Sequence, residues 1–306
     1  MPEPVPALLS PRDLKALLDS GLAPLLIHLL PAEHFAAQRL PGAACACVYE
    51  AAFPEHMARV APDRDAHVVV YGADQLGMDA ATAAGKLARL GYGQVSVLEG
   101  GLAAWREAGL PVEGTGEPRD PAWEPLPGGE FAVDPAASRL EWFGRNKNGA
   151  HHGTLRIKAG TLRLAGGLPA GRFTLDMASI ADLDLADAGW NRMLVAHLLS
   201  DDFFWAERFP EAVYEIASAR RLDPEPGRPG VRVSGRLTLR GVAREQGMDA
   251  TLARLDDGAV AAEAHFDLDR TRWPVLYGSA RYFRFLGMHL VDDLVTVHLR
   301  LVARPA

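Results

Sequence analysis

Cysteine is scarce in this chain of 306 residues, where Cys45 and Cys47 are the only two. Side chains at positions i and i+2 of a strand point the same way but lie too far apart for a good disulfide. We therefore expect two reduced core thiols in a cytoplasmic protein, with a metal or redox role as the less favoured alternative. Long apolar runs are missing as well, because the run from Leu25 to Leu30 contains His28 and is too short to span a bilayer.

The chain also lacks an excess of positive charge. It has 32 lysines and arginines against 39 aspartates and glutamates, which gives a formal net charge of −7. The basic residues are scattered rather than clustered, so we do not expect a nucleic-acid partner. The N-terminus lacks the basic start and the long apolar core of a secretory signal. These absences together favour a cytoplasmic protein without a transmembrane segment.

A segment rich in proline and glycine, Glu113 to Gly129, divides the chain. Prolines and glycines at this density exclude both a helix and a central strand, and they are typical of a partly stiffened linker. A chain of this length is comfortable for two domains. We predict a first domain over residues 1–112, a linker over 113–129 and a second domain over 130–306.

Short apolar runs without alternation mark the strands of the first domain. Leu25 to Ile27 and Val68 to Tyr71 are typical of strands buried on both faces of a parallel sheet, and we predict a further strand over Ala44 to Val48. Helical patterns lie between these runs, and Ser10 and Pro11 form a good helix start. The alternation predicts a doubly wound α/β fold with a parallel sheet.

The first domain resembles the rhodanese family. The resemblance covers nearly all of residues 1–112. It rests on the order and spacing of Leu40-Pro41-Gly42-Ala43, Gly91-Tyr92, Leu98-Glu99-Gly100-Gly101, Ala104-Trp105 and Ala108-Gly109-Leu110-Pro111. The family carries a nucleophilic cysteine directly after the strand that ends at Tyr71, and this chain has Gly72 there. The family's Asp-Val-Arg after its second strand is also replaced, by His28-Leu29-Leu30.

Without a thiolate at position 72 the chain lacks the group that carries sulfane sulfur. Asp74 and Asp79 also lie in or beside the loop, and carboxylates there would repel thiosulfate and raise the pKa of any thiol. We therefore assign no catalytic residue and expect no sulfurtransferase activity. From these departures we expect a non-catalytic domain that packs or binds a protein partner. Cys45 or Cys47 as a substitute nucleophile is the disfavoured alternative.

Strict alternation of apolar and polar residues characterises the second domain. In residues 231–240 one face is apolar or small and the other polar, and the runs 171–179, 260–268 and 294–301 behave alike. Period two with one polar face predicts antiparallel strands whose other face is buried. Roughly eight such strands predict an all-β closed barrel or sandwich. A helix-like stretch, Trp190 to Leu199, interrupts the β pattern.

The second domain resembles the YceI family of lipocalin-like barrels over Phe131 to Val302. The residues that carry the resemblance are Met177-Ala178-Ser179-Ile180, His197-Leu198, Asp201-Asp202-Phe203-Phe204, Phe209-Pro210, the segment from Gly235 to Gly241, and Asp269-Arg270-Thr271. The resemblance implies an antiparallel barrel with a short helical insertion. It also implies that the barrel binds an apolar small molecule, such as a polyisoprenoid or another lipid-like ligand.

An eight-stranded barrel is just wide enough to hold one small ligand or to be filled by side chains. The residues that we expect to contact a ligand are Trp142, Phe173, Leu175, Met177, His197, Phe204, Tyr214, Leu237, Ala264, Phe266 and Trp273. The small residues Gly235, Ala262 and Ala264 on the inner face favour a cavity. A filled core stays open as the alternative.

Histidines support a second hypothesis of a different class. Imidazole and carboxylate groups bind zinc, iron or manganese, and His151 or His152 together with His197 form a candidate site near Asp292-Asp293. Neighbours on a strand point to opposite faces, so at most one of the first two serves it. We expect no cofactor, and we expect His197 to order a loop over the barrel mouth. The alternative is a metal-dependent or sulfur-handling enzyme that uses these histidines.

Overall fold

A computed structural model of the chain describes residues 6–21, 24–118, 125–223 and 230–306. The chain divides into two compact units, Met1–Pro121 and Ala122–Ala306. The start of the predicted linker is hydrogen-bonded to the first unit, because the backbones of Glu113 and Arg39 form two hydrogen bonds of 2.9 Å with each other. Residues 119–124 of that linker and residues 1–5 of the N-terminus lie outside the described residues.

The N-terminal unit is an α/β domain with a parallel sheet, as predicted. Its strands are β1 (Ala7–Leu9), β2 (Leu25–His28), β3 (Ala44–Cys45), β4 (His67–Tyr71) and β5 (Gln94–Leu98). Its helices are α1 (Pro11–Asp19), α2 (Ala32–Ala37), α3 (Phe53–Val60), α4 (Asp79–Arg89) and α5 (Gly101–Glu107). The sheet order is β1-β5-β4-β2-β3, and every neighbouring pair is parallel. Apolar side chains of the helices bury both faces of this sheet.

Local signals explain where these elements begin and end. Ser10 caps α1, since its hydroxyl accepts a hydrogen bond from the backbone N–H of Asp13 and Pro11 occupies the first helical position. β3 is shorter than the strand predicted over Ala44 to Val48. The strand ends at Cys45, although the backbone N–H groups of Ala46 and Val48 still donate to the carbonyls of His28 at 3.0 Å and Leu29 at 2.9 Å before α3 begins.

The C-terminal unit is an antiparallel barrel, as predicted. Its strands are β6 (Gly129–Val133), β7 (Arg139–Asn146), β8 (Gly149–Ala165), β9 (Leu168–Asp182), β10 (Glu211–Arg221), β11 (Val231–Leu239), β12 (Val242–Arg254), β13 (Val260–Asp269) and β14 (Leu294–Pro305). The insertion is α6 (Ala188–Leu199). Pairing of β13 with β14 closes the sheet. β6 and β7 both pair with β8 on one side and β14 on the other, so nine strands fill eight positions.

The two ends of the barrel differ in packing. β6 lies at one end, where a compact apolar cluster fills the interior. The cluster consists of Phe131, Leu162, Leu164, Val260 and Ala303. β7 occupies the same position in the ring at the other end, beside α6, and here the larger apolar side chains surround space. The barrel is therefore closed at one end and hollow at the other.

Within the described ranges, no helix has both the length and the apolar character needed to cross a membrane.

Candidate functional site

The hollow half of the barrel contains a cavity of about 330 Å³. Pockets that bind small ligands have volumes of about 300–1,000 Å³ and mostly apolar walls. The apolar side chains of this wall belong to Leu140, Trp142, Leu155, Phe173, Leu175, Met177, Ile180, Leu194, Leu198, Phe203, Phe204, Ala212, Tyr214, Leu237, Leu239, Met248, Phe266, Leu268, Tyr277, Met288, Val291, Val295, Val297 and Leu299. The cavity therefore suits one apolar molecule.

Most of the side chains that the sequence predicts for a ligand site lie on this wall. They are Trp142, Phe173, Leu175, Met177, His197, Phe204, Tyr214, Leu237 and Phe266. Ala264 and Trp273 are buried elsewhere. Ala264 lies in the middle of β13, between Ala250 and Leu299, and Trp273 donates its indole N–H to the carbonyl of Leu237 at 3.1 Å. Neither is among the residues that line the cavity.

Gly235, Ala262 and Ala264, the small residues expected to favour a cavity, are not among the lining residues. Tyr214 crosses Gly235 so closely that a Cβ on the glycine would lie 2.6 Å from the phenol ring. The phenol donates to the carbonyl of Gln246 at 2.8 Å, and burial raises its pKa to about 12. Trp142 likewise covers Gly153. Because these glycines have no side chain, the aromatic rings can lie against the backbone there, and the rings form part of the cavity wall.

The cavity wall carries one buried donor that lacks a partner. The indole Nε1 of Trp142 has no hydrogen-bond acceptor within the part of the chain that the structure describes. A buried N–H without an acceptor costs about 1–3 kcal/mol. An oxygen atom of a bound ligand can supply this acceptor, whereas a pure hydrocarbon cannot. Alternation in β7 placed Trp142 on the inner face, but it could not reveal that its nitrogen is unpaired.

The rim beside α6 is held by His197. Its Nε2 lies 3.2 Å from a carboxylate oxygen of Asp202, and its ring meets Phe203 and Tyr277 edge-on, at centroid distances of 5.0 and 4.6 Å. Tyr277 belongs to the long connection between β13 and β14. His197 therefore links the helical insertion to that connection at the cavity mouth.

Arg270 fixes the same connection from within. It is buried, and its guanidinium donates to the carbonyls of Asp292 at 2.9 Å, Val275 at 2.7 Å and Val291 at 3.0 Å. Burial lowers the pKa of this arginine despite its acidic neighbours, which include Asp293. Three carbonyls and a carboxylate compensate the buried charge. The residues that carried the family resemblance here thus shape the mouth of the cavity.

The three histidines of the predicted metal site are not brought together. His197 pairs with Asp202, as described above. His151 and His152 instead both meet Asp184: the ring Nδ1 of His151 lies 3.0 Å from its carboxylate, and the backbone N–H of His152 donates to it at 2.7 Å. Burial opposes ionisation of Asp184, but these hydrogen bonds outweigh it and lower the pKa of the carboxyl.

In the N-terminal domain, a carboxylate occupies the space of the missing nucleophile. A Cβ built on Gly72 would lie 1.8 Å from Oδ2 of Asp79. Asp79 is buried, and its Oδ1 accepts a hydrogen bond of 2.9 Å from the hydroxyl of Tyr49. On the same loop, the exposed Asp74 accepts a hydrogen bond from the backbone N–H of Leu76 at 2.7 Å. This loop presents carboxylates where a sulfurtransferase would bind an anion.

The two cysteines are free thiols outside this loop. Cys47 is buried, and Cys45 is half-buried with its Sγ 3.6 Å from the carbonyl of Leu30. Burial raises the pKa of Cys45 to about 11, and neighbouring acidic groups add to the shift. A thiol with such a pKa is almost entirely protonated at neutral pH and is a weak nucleophile.

Comparison with known protein families matches both halves of the chain. Residues 131–303 match the YceI-like domain family, and residues 10–108 match the rhodanese-like domain family. A thiosulfate sulfurtransferase of Gallus gallus is 43% identical over 74 residues, which are 24% of this chain and 25% of that protein. The chain thus spans about a quarter of the length of this curated relative.

Two solved structures each match more than half of this chain. BcnA of Burkholderia cenocepacia is 20% identical, with 56% of this chain and 98% of that chain covered and a TM-score of 0.42. A polyisoprenoid binding domain from Saccharophagus degradans, implicated in plant cell wall breakdown, is 13% identical, with 60% and 100% covered and a TM-score of 0.43.

Proposed function

The chain belongs to the YceI-like domain family, and we propose that its barrel binds one elongated apolar molecule of the isoprenoid or lipid-like class. The rhodanese-like domain transfers no sulfur in this proposal. It serves instead as a binding domain for a protein partner. The observation that carries the proposal is the apolar cavity at the hollow end of the barrel.

The chemistry of the cavity supports this ligand class. Apolar cavities stay dry and take up apolar molecules, because burial in such a space removes apolar surface from water. The ring of apolar side chains extends from Leu140 at β7 to Met288 near the mouth. The unpaired indole of Trp142 adds a single donor to this wall. A long hydrocarbon that carries one oxygen function matches both features.

The loop after β4 supports a non-catalytic first domain. Gly72 offers no nucleophile, and Asp79 fills the volume that a cysteine side chain would need. A carboxylate at this position would also repel an anionic sulfur donor. We expect the full chain to show no thiosulfate:cyanide sulfurtransferase turnover above a heat-denatured control. Turnover that disappears in Cys45→Ser or Cys47→Ser would contradict this expectation.

The ligand is tested by extraction and by a blocking variant. The full chain without an affinity tag is extracted with organic solvent, and the extract is weighed by mass spectrometry. Binding of a fluorescent polyprenol is then compared between the parent and Ala212→Phe. Ala212 is almost fully buried and lines the cavity, so a phenyl ring there fills space that the ligand would use. We expect a folded variant whose affinity for the probe falls by more than 10-fold, at least about 1.4 kcal/mol.

Ala264→Phe is the matched control. Ala264 is also a buried alanine of a barrel strand, but it does not line the cavity. The same enlargement should therefore overpack the barrel and lower its free energy of unfolding by about 1–3 kcal/mol. Equal probe affinity in the parent and Ala212→Phe, or equal destabilisation by both changes, would contradict a ligand-holding cavity.

A further inference from the structure

A histidine and two aspartates converge where β9 ends and α6 begins. His151 lies on β8 and lines the cavity, Asp182 ends β9, and Asp184 lies in the following turn. Each offers one ligand atom, and these three atoms all lie within 4.8 Å of one another. We propose that His151, Asp182 and Asp184 form a binding site for a divalent transition-metal cation such as Zn²⁺.

Asp182 supplies an independent observation. Its side chain is 6% exposed, and its Oδ1 accepts hydrogen bonds from the backbone N–H of Leu185 at 2.9 Å and from the side-chain amide of Asn191 at 3.1 Å. Its other oxygen, Oδ2, is buried and has no hydrogen-bond partner among the described residues. A buried carboxylate oxygen is costly unless an ion or a donor compensates it. A metal cation supplies that compensation.

The charges around the two carboxylates favour the binding of a cation. Over the described ranges, no lysine or arginine lies within 4.0 Å of Asp182 or Asp184. The ring of His151 lies 3.0 Å from Asp184 and that of His152 lies 3.5 Å away. These rings carry charge only when they are protonated. Two neighbouring carboxylates in a partly buried place therefore lack a permanent positive partner.

The geometry suits a small cation with a mixed ligand set. A tetrahedral zinc ion holds nitrogen and oxygen ligands at about 2.0–2.2 Å, and therefore about 3.4 Å from one another. The 3.0 Å between His151 Nδ1 and Asp184 Oδ2 is already close to this spacing. One imidazole with two carboxylates suits zinc or manganese better than calcium, which prefers oxygen ligands alone.

Surrounding groups hold the two carboxylates in place before any ion binds. Asn191, in the first turn of α6, donates to both the backbone carbonyl and the carboxylate of Asp182 at 3.1 Å. The backbone N–H of His152 donates to Asp184. Such outer hydrogen bonds orient the ligands of known metal sites. Because His151 also belongs to the cavity wall, the ion would lie at the border of the ligand site.

Calorimetric titration of the tag-free, chelator-treated full chain with ZnCl₂ tests the proposal. We expect one ion per chain in the parent. Asp182→Asn and His151→Gln should each weaken zinc binding by more than 10-fold. Loss of an outer hydrogen bond to a metal ligand already lowers metal affinity by about 10-fold or more, and loss of a ligand should cost more than that. Zn²⁺ should also raise the thermal midpoint of the parent but not that of Asp182→Asn.

Asp202→Asn is the matched control. It disrupts a second histidine–aspartate pair at α6, where His197 and Asp202 lie 3.2 Å apart without a third ligand group among the described residues. Binding should be unchanged in this variant. Absence of saturable binding in the parent, or equal weakening by Asp202→Asn, would overturn the site. Should Asp182→Asn fail to fold, the comparison of His151→Gln with Asp202→Asn decides, because His151 is partly exposed and its replacement leaves the core intact.

Discussion

The loop after β4 and the wall of the barrel both contain a glycine that a neighbouring side chain covers, but the covering groups differ in kind. Asp79 lies where a Cβ on Gly72 would be, at 1.8 Å. In the barrel, the ring of Tyr214 lies 2.6 Å from the corresponding point on Gly235. The carboxylate of Asp79 fills the space beside Gly72 with an acidic group, whereas the ring of Tyr214 lines the barrel cavity and leaves it hollow.

This difference shows that the fold of a domain and the residues of its site depend on different interactions. The parallel sheet of the N-terminal domain is covered by apolar side chains of its helices, and this packing extends well beyond the loop. The site itself depends on the few atoms around Gly72. A fold can persist when the residues of a site change, because packing energy is spread over the core whereas a reaction needs one group in one place.

Among the variants that test this comparison of the two glycines, Gly72→Ala should have the largest effect on stability. The added methyl group would collide with Asp79, displace the carboxylate and break its hydrogen bond to Tyr49. We expect a loss of about 2–4 kcal/mol in the stability of the N-terminal domain. Hydrogen exchange of the β4 amides, resolved by peptide mass spectrometry, measures this loss locally.

Two further variants test whether the clash with Asp79 causes this loss of stability. In an Asp79→Ala background the same Gly72→Ala change should cost little, because the group that it meets is gone. Gly93→Ala is the control for the glycine itself: a Cβ there meets nothing within 4 Å, and its effect should stay within about 0.5 kcal/mol. If Gly72→Ala were equally costly with and without Asp79, the carboxylate would not be what closes the loop.

A second, smaller effect is a pH dependence of stability that His28 gives to the N-terminal domain. His28 is fully buried in β2, and burial, followed by the nearby His34 and Arg39, lowers its pKa from 6.5 to about 3. The unfolded chain takes up this proton near pH 6.5, whereas the folded chain does so only near pH 3. Stability is therefore complete above pH 6.5 and falls as the pH drops towards 3. At pH 5 the loss is about 2 kcal/mol.

The variant His28→Gln removes this titration. Its β4 amides should lose less protection between pH 7 and pH 5 than those of the parent, when both are compared at the same pH. His67→Gln is the control in the same domain, since His67 is only half-buried and hydrogen-bonds Ser96. Identical pH dependence in the parent and His28→Gln would mean that His28 is not the group that destabilises this domain in acid.

The sequence predicts the two folds well because their signals are local. Alternation in β11 correctly separates buried Val231 and Val233 from exposed Arg232, and Ser10 correctly marks the start of α1. Period two distinguishes the inside of a barrel from the outside, but it does not give the height of a residue along the barrel axis. For that reason Ala264 was expected on the cavity wall, although it is not among the lining residues.

The finer features of both sites depend on contacts that the sequence does not encode locally. Asp79 lies seven residues after Gly72, and only the turn of the loop brings its carboxylate onto the glycine. His151 meets Asp184 because β8 and β9 pair in one register, with Gly153 opposite Asp182. Such pairings follow from tertiary structure, so the sequence identified His151 but not its partners.

The smallest predicted effect concerns Trp142 and tests whether the cavity is as apolar as its lining suggests. Its unpaired indole N–H should bind an oxygen of the ligand, and a net hydrogen bond contributes about 0.5–1.5 kcal/mol. Trp142→Phe should therefore weaken a polyprenol by about 2- to 10-fold. The same variant should leave the affinity for an isoprenoid hydrocarbon of equal length unchanged, apart from the smaller ring. Competition of both ligands against a fluorescent probe measures the difference. Equal weakening of both would mean that Trp142 contributes only apolar contact and donates no hydrogen bond to the ligand.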